Sequence, residues 1–305
     1  MRSNLPLALA LAFAFALALT FAACGTGSPT TSPDLAFAPA DLAGTGMTSA
    51  TLQMTSFTIP AGMEVFKCQD FKNPFAAEAY VKKYESVMTA GSHHLIVFLK
   101  DNAVDGPLED CSGLEFGPSP YGSQQPTDSI TFPDGVAALA PAASGYRVQV
   151  HYLNATAKPI DVAVHVTMYD VAASTVSQHA GQYFFNNISV NIPATGQPYT
   201  ITKTCTLAAA ANILSAVNHM HRWATHFTAT AAGQTFYESD VWSEPKRKVF
   251  DPPLQLAAGT KVTFTCTYVN DTGAPITFGE SAQANEMCIL AGSFYPSPTP
   301  TVSCF

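Results

Sequence analysis

Eight histidines occur among the 305 residues, and five of them stand in patterns that suit a metal ion. His93 and His94 are adjacent, His151 lies in Tyr146-Arg147-Val148-Gln149-Val150-His151-Tyr152, and His219-Met220-His221 forms an HxH. On a strand, residues i and i+2 share a face, so His219 and His221 can converge on one ion while Met220 turns into the core. A lone HxH is equally compatible with two surface histidines on a strand. Neighbours on a regular strand point oppositely, so His93 and His94 can serve one ion only at a strand end or a bulge. Ala90-Gly91-Ser92 supplies the irregular start this needs. Alternation groups His151 with Arg147 and Gln149 on a polar face, opposite Tyr146, Val148, Val150 and Tyr152. His165, His179 and His226 fall outside these patterns.

The elements that must carry these residues have period two. In 261–270, Val262, Phe264, Cys266 and Tyr268 alternate with Thr263, Thr265 and Thr267, and 161–169 alternates in the same way. Turn signals separate the runs: Pro133-Asp134-Gly135, Ala257-Ala258-Gly259 and Asp271-Thr272-Gly273. The expected fold is all-β, two tandem antiparallel sandwiches joined through the Gly/Pro-bearing stretch 191–200. Two helical exceptions are expected, a helix over 75–88 and a short turn over 207–211. No internal repeat is evident. With 47% hydrophobic residues and 12% charged, the chain is not disordered. Fourteen Lys+Arg against 22 Asp+Glu leave no positive field for nucleic acid. The one basic cluster, Lys246-Arg247-Lys248, reads as a solvated turn.

Arg2 followed by the Leu/Ala/Phe run from Leu5 to Thr20 reads as an export signal over 1–23. Phe21-Ala22-Ala23-Cys24 resembles a bacterial lipobox with Phe21 where Leu is usual, which makes Cys24 a candidate for lipidation. Residues 24–46, rich in Gly, Ser, Thr, Pro and Ala, form a flexible linker. An N-terminal domain over 47–195 and a C-terminal domain over 196–305 follow. The expected location is the periplasm or cell exterior, with membrane contact only through the N-terminal anchor. Six further cysteines, Cys68, Cys111, Cys205, Cys266, Cys288 and Cys304, then form an even set that reads as three disulfides of open pairing. None belongs to a CxxC pair, which argues against a zinc knuckle.

Ser92-His93-His94-Leu95, Val148-Gln149-Val150-His151-Tyr152, His219-Met220-His221 and Asn285-Glu286-Met287-Cys288, in this order, resemble the copper type II, ascorbate-dependent monooxygenases. That family includes dopamine β-monooxygenase and peptidylglycine α-hydroxylating monooxygenase. The stretches Cys266-Thr267-Tyr268, Thr277-Phe278-Gly279-Glu280, Glu286-Met287-Cys288 and Phe294-Tyr295-Pro296 are particularly similar to the amine-hydroxylating branch, and the likeness spans roughly Thr51 to Cys304. The resemblance implies two jelly-roll sandwiches with one copper on each, facing across a solvent-filled cleft. Carried over by motif, His93, His94 and His151 would hold the first copper. His219, His221 and Met287 would hold the second, the oxygen-activating site, with Gln149 as a link for electron transfer between them. A thioether favours Cu(I), and imidazole suits either oxidation state. A methionine beside a cysteine in a sandwich is ordinarily core filling, so the ligand role of Met287 rests on the motif. The implied disulfides are Cys68–Cys111, Cys205–Cys304 and Cys266–Cys288.

The implied activity is hydroxylation of a C–H bond of a small molecule with O2 and a one-electron reductant such as ascorbate, on two copper ions per chain. Where the peptide-hydroxylating branch places an Arg, an Asn and a Tyr to hold a carboxylate, this chain has Val217, Ile289 and Ala291. A peptidylglycine substrate is therefore not expected; the pocket should be more apolar or smaller-lined, and the acidic surface would tolerate an amine. Glu280 and Glu286 read as solvated loop charges. Two other functions fit a double sandwich, because fold does not dictate function. One is an exported copper-binding or electron-transfer protein without turnover, and the other an adhesive or carbohydrate-binding module with incidental histidines.

Overall fold

The computed structural model describes residues 46–305 apart from Ala76, Leu114 and Phe116. The expected export signal, Cys24 and all but the last residue of the expected linker lie outside the described residues. Within them the chain is all-β, with 23 strands and one 3-10 turn at Ala173–Thr175. No helix of the described residues is long and apolar enough to cross a membrane.

The longest sheet has ten strands and runs through both halves of the chain. From one edge its order is Thr48–Gln53, Val164–Asp170, Ala79–Met88, Val136–Ala140, Gln178–Asn186, Ile289–Tyr295, Ala211–His219 and Lys248–Leu256. Two short strands join off this path, Thr127–Thr131 on Ala79–Met88 and Thr301–Cys304 on Gln178–Asn186. A five-stranded sheet centred on Ser144–Leu153, with Glu64–Phe71 and Ser92–Asp101 beside it, covers the first half. A four-stranded sheet centred on Lys261–Val269 covers the second. Pairing is antiparallel except where Gln178–Asn186 meets Val136–Ala140 and Thr301–Cys304 in parallel.

Alternation explains the layers. In Ser144–Leu153, Tyr146, Val148, Val150 and Tyr152 enter the first core against Leu52, Val81, Tyr84 and Val166 of the long sheet. In Lys261–Val269, Val262, Phe264, Cys266 and Tyr268 enter the second core against Tyr183, Phe185, Leu290 and Phe294. Ala180 belongs to the first core and Tyr183 to the second, so the change of core falls inside one strand. The disulfides are Cys68–Cys111, Cys205–Cys304 and Cys266–Cys288, the pairing the resemblance implies. Three disulfides are consistent with an oxidising, extracellular environment.

Several expectations are corrected. Residues 75–88 do not form a helix, because Ala79–Met88 is a strand whose burial alternates. Its Ala, Glu and Lys content suits a helix, but Ala79, Val81, Tyr84, Ser86 and Met88 are needed as one inward row, and that packing overrides propensity. The Ala-rich 207–211 forms bends and then opens the Ala211–His219 strand. Arg247 is no part of a solvated turn: its side chain is 6% exposed and paired with Asp128.

An internal repeat is also present. Tyr152-Leu153-Asn154-Ala155-Thr156-Ala157-Lys158-Pro159-Ile160 corresponds to Tyr268-Val269-Asn270-Asp271-Thr272-Gly273-Ala274-Pro275-Ile276. In each copy the buried Asn accepts hydrogen bonds from the backbone and hydroxyl of the Thr two residues on. Its amide donates across the turn, Asn154 to the carbonyls of Ile59 and Lys158, Asn270 to those of Ile192 and Ala274. The closing pairs match as well, Ile160 with Ile59 and Ile276 with Ile192.

Candidate metal centre

The centre begins with a bulge. Along Ser92–Asp101 and Ser144–Leu153, His94 lies opposite His151 but Ser92 lies opposite Tyr152, which leaves His93 as the extra residue. The bulge re-aims His93, so that adjacent histidines reach one place. His93 is then 5.0 Å from His151 and 5.5 Å from His94, ring centre to ring centre. His219 ends its strand and His221 lies just beyond it, where the chain turns at Arg222-Trp223.

All five rings converge. His93 lies 4.6 Å from His219 and 5.0 Å from His221, and His94 lies 5.3 Å from His219. One ligand nitrogen each from His93, His219 and His221 fall within 4.8 Å of one another. That trio takes members from both expected ligand sets. The resemblance implies a solvent-filled cleft between the sets, whereas these rings are neighbours at one largely buried centre shared by the two halves.

Hydrogen bonds decide which nitrogen of each ring is free. The Gln124 amide donates to the Asn218 carbonyl, so its oxygen, 2.7 Å from His219 Nδ1, must accept. His219 therefore carries its proton on Nδ1. His221 Nδ1 donates to the Asn285 carbonyl at 3.0 Å, leaving Nε2 bare. His151 Nε2 donates to Glu64 at 2.7 Å, leaving Nδ1 bare, and Phe66 stacks on the ring at 3.9 Å. Partners of this kind fix tautomer and ring orientation around a metal. Both nitrogens of His93, Nδ1 of His94, Nδ1 of His151 and Nε2 of His221 are buried without a hydrogen-bond partner. A buried polar atom left unpaired costs roughly 1–3 kcal/mol, so this cluster calls for a ligand that accepts lone pairs.

Electrostatics agree. Burial, and then repulsion between neighbouring rings, holds His93, His94 and His219 well below the ordinary histidine value. Burial brings His221 to about 4 despite its bond to Asn285. Burial also lowers His151, against the pull of Glu64. The rings are thus neutral, the form that binds metal. Burial would raise Glu64, but hydrogen bonds from His151, Ser281 and Ala282 hold it down at about 2. Glu64 accordingly ties a first-half histidine to the second-half turn that leads to Asn285 and Met287.

Met287 is buried and borders the same cavity as His94 and His219. Glu286 is fully buried, correcting its reading as a solvated charge. Its carboxyl accepts the backbone N–H groups of His221, Trp223 and Met287, and burial pushes it up to about 8. It pins the HxH turn to the methionine segment. Gln149 is buried beside the Cys68–Cys111 disulfide, and its amide donates to the Ser112 carbonyl. His226 stands apart with Asp240 and Glu238, as His165 and His179 stand apart. Gln124 and Glu64 carried no sequence signal, since each acts through a partner more than 80 positions away.

No protein-family model and no curated protein matches this chain. Among solved structures it is similar to the major capsid protein P2 from bacteriophage PM2, at 10% identity and a TM-score of 0.33, over 83% of this chain and all of that one. It is also similar to PNGase F, a glycosylasparaginase from Flavobacterium meningosepticum, at 8% identity and a TM-score of 0.34, over 84% and 98% of the two chains. Likeness at this level carries no inference about activity.

Proposed function

We propose that this chain is an exported copper-dependent monooxygenase, hydroxylating a C–H bond of a small molecule with O2 and a one-electron donor such as ascorbate. The observation that carries this reading is the convergence of five neutral, lone-pair-bearing imidazoles from both halves of the chain beside a buried methionine and a cavity. An imidazole and thioether set suits copper, whereas a structural zinc site would be a closed tetrahedron of Cys and His. In this reading each sandwich is a jelly roll with its own copper, the first on His93, His94 and His151, the second on His219, His221 and Met287. The motif order adds its resemblance to the ascorbate-dependent family. Cys24 would carry the lipid that anchors the chain outside the cell.

Copper, when bound, supplies the one-electron chemistry that lets O2 oxidise a C–H bond. The chain's residues do the rest. Glu64, Gln124 and the Asn285 carbonyl hold ring protons away from the centre, so that lone pairs face inward. Glu286 fixes the turn carrying His221, and the surrounding core excludes bulk water. The neighbouring cavity presents a substrate to His94, His219 and Met287.

The test is copper per chain after reconstitution and dialysis, followed by ascorbate-driven O2 uptake with analysis of products. Two coppers and a hydroxylated product coupled to O2 uptake are expected. Copper without product would leave a binding or electron-transfer protein, and an absence of bound copper would sink the reading.

A further inference from the structure

We infer that the cavity beside the histidine centre takes an uncharged, largely apolar molecule of aromatic-ring size or larger. This deepens the monooxygenase reading and rests on it for calling that molecule the substrate, though the binding itself needs no copper. The cavity measures about 570 Å³, within the range of small-molecule sites.

Its walls follow from strand register. Phe184 pairs with Ala291, and Ala291 with Val217; one step on, Asn186 pairs with Ile289, and Ile289 with His219. Residues two apart share a face, so an apolar row, Phe184-Ala291-Val217, lies roughly 7 Å along the strands from the His219 row. Ile96 and Phe98, on the same strand face as His94, also border the cavity. A ligand held by these side chains lies against His94, His219 and Met287.

The charged side chains that border the cavity are already engaged among the described residues. Arg247 Nε and Nη2 donate to Asp128 Oδ2 at 3.2 and 2.8 Å, and Nη2 also donates to the Gly122 carbonyl. The other Asp128 oxygen accepts the Ser129 N–H. Glu115, 3.6 Å from Arg147, shares that guanidinium with Asp70 and Glu109 at 2.6 and 2.9 Å. The Gln124 amide is committed to His219 and Asn218, and the Gln182 amide donates to Ser293 and Pro120. A carboxylate entering here would lose its hydration without gaining a free cation, because Arg247 is committed to Asp128, and an ammonium would have to compete with Arg147 for Glu115. A neutral molecule would bury apolar surface at no such cost.

The test uses the full disulfide-bonded chain, metal-free and copper-loaded, with three probes of similar size: 2-phenylethanol, 2-phenylethylammonium and 3-phenylpropionate. Titration calorimetry or ligand-observed NMR should show the alcohol bound at least about tenfold more tightly than either ion. Ala291→Trp, which fills the apolar row, should abolish alcohol binding while leaving copper per chain unchanged. If that variant does not fold, Phe184→Ala serves instead and should weaken the alcohol several-fold. The inference is overturned if an ion binds as tightly as the alcohol, if none of the probes binds, or if alcohol binding is unaffected in the folded variant. Loss of the copper reading would appear separately, as a chain that holds the alcohol but no copper.

Discussion

A neutral imidazole buried among others offers its lone pair only while nothing forces a proton onto it, and this ties the metal-free chain's stability to pH. His93, His94, His219, His221 and His151 all have folded-state values below the ordinary 6.5, chiefly through burial. The unfolded chain therefore binds more protons as pH falls through 6.5, and stability present above that value is lost below it. Glu286, pushed up to about 8, takes a proton in the folded chain over the same interval and opposes this, one carboxyl against five rings. Urea midpoints of the metal-free chain should therefore still fall from pH 7.5 to pH 5, and copper should oppose the fall; a midpoint that rises across that interval would contradict the burial of these rings. Gln124 offers a sharper probe, because its oxygen alone fixes the His219 proton on Nδ1. Gln124→Leu removes that acceptor and should weaken copper binding about 10–100-fold, as loss of such orienting partners does elsewhere. Competition with a chelator would measure it, and Gln124→Glu, which keeps an acceptor, should restore most of the affinity.

Strands bring these residues together, and their constraints are readable in part. The period of two exposed the strand carrying His151, and Ala90-Gly91-Ser92 marked the irregularity that became the His93 bulge. The strand over 79–88 was hidden, because its Ala, Glu and Lys match a helix and only distant partners make it a strand. Gln124, Glu64 and Glu286 were hidden for a related reason: the role of a carboxamide or a carboxylate depends on what a remote segment places against it. Two element-level outcomes concern the segment that follows Met287. Gly292 sits where a Cβ would meet the Ser215 carbonyl at 2.0 Å and the Tyr183 hydroxyl at 2.6 Å. Gly292→Ala should destabilise by about 1–3 kcal/mol in urea denaturation, the usual scale of overpacking. The Cys266–Cys288 bridge closes a segment 22 residues apart and anchors the neighbour of Met287. Replacing both cysteines by Ala should cost about 2–4 kcal/mol and, in the proposed two-copper reading, weaken the copper assigned to His219, His221 and Met287 more than the one assigned to His93, His94 and His151. Equal losses in the two sets would separate the bridge from the centre.

At the scale of the molecule, one local design is used twice and then specialised. The repeat extends beyond the Asn-x-Thr turn, since His94 lies opposite His151 just as His226 lies opposite Thr267, with a register shift beside each. Only the first copy keeps a histidine at both places, and the second contributes His219 and His221 from a different sheet. The centre therefore exists only where the halves meet, and their junction must be firm. It is held by the continuous ten-stranded sheet and by Arg247 of the second half, buried against Asp128 and the Gly122 carbonyl of the first. Removing one member of a buried ion pair strands the other and costs about 3–5 kcal/mol, whereas replacing both by apolar residues costs far less. Arg247→Met should thus be strongly destabilising, and Arg247→Met with Asp128→Leu should recover most of the loss. The readout is built into the sequence: both tryptophans, Trp223 and Trp242, pack against the second core, Trp242 with its ring also 6.0 Å from that of first-half His93, while circular dichroism reports both halves. In the native metal-free chain the two signals should melt together, as one cooperative unit. In Arg247→Met they should separate, with the alcohol-binding cavity lost at the earlier transition; coincident melting in that variant would mean that the shared sheet and the Glu64 and Gln124 contacts suffice to couple the halves.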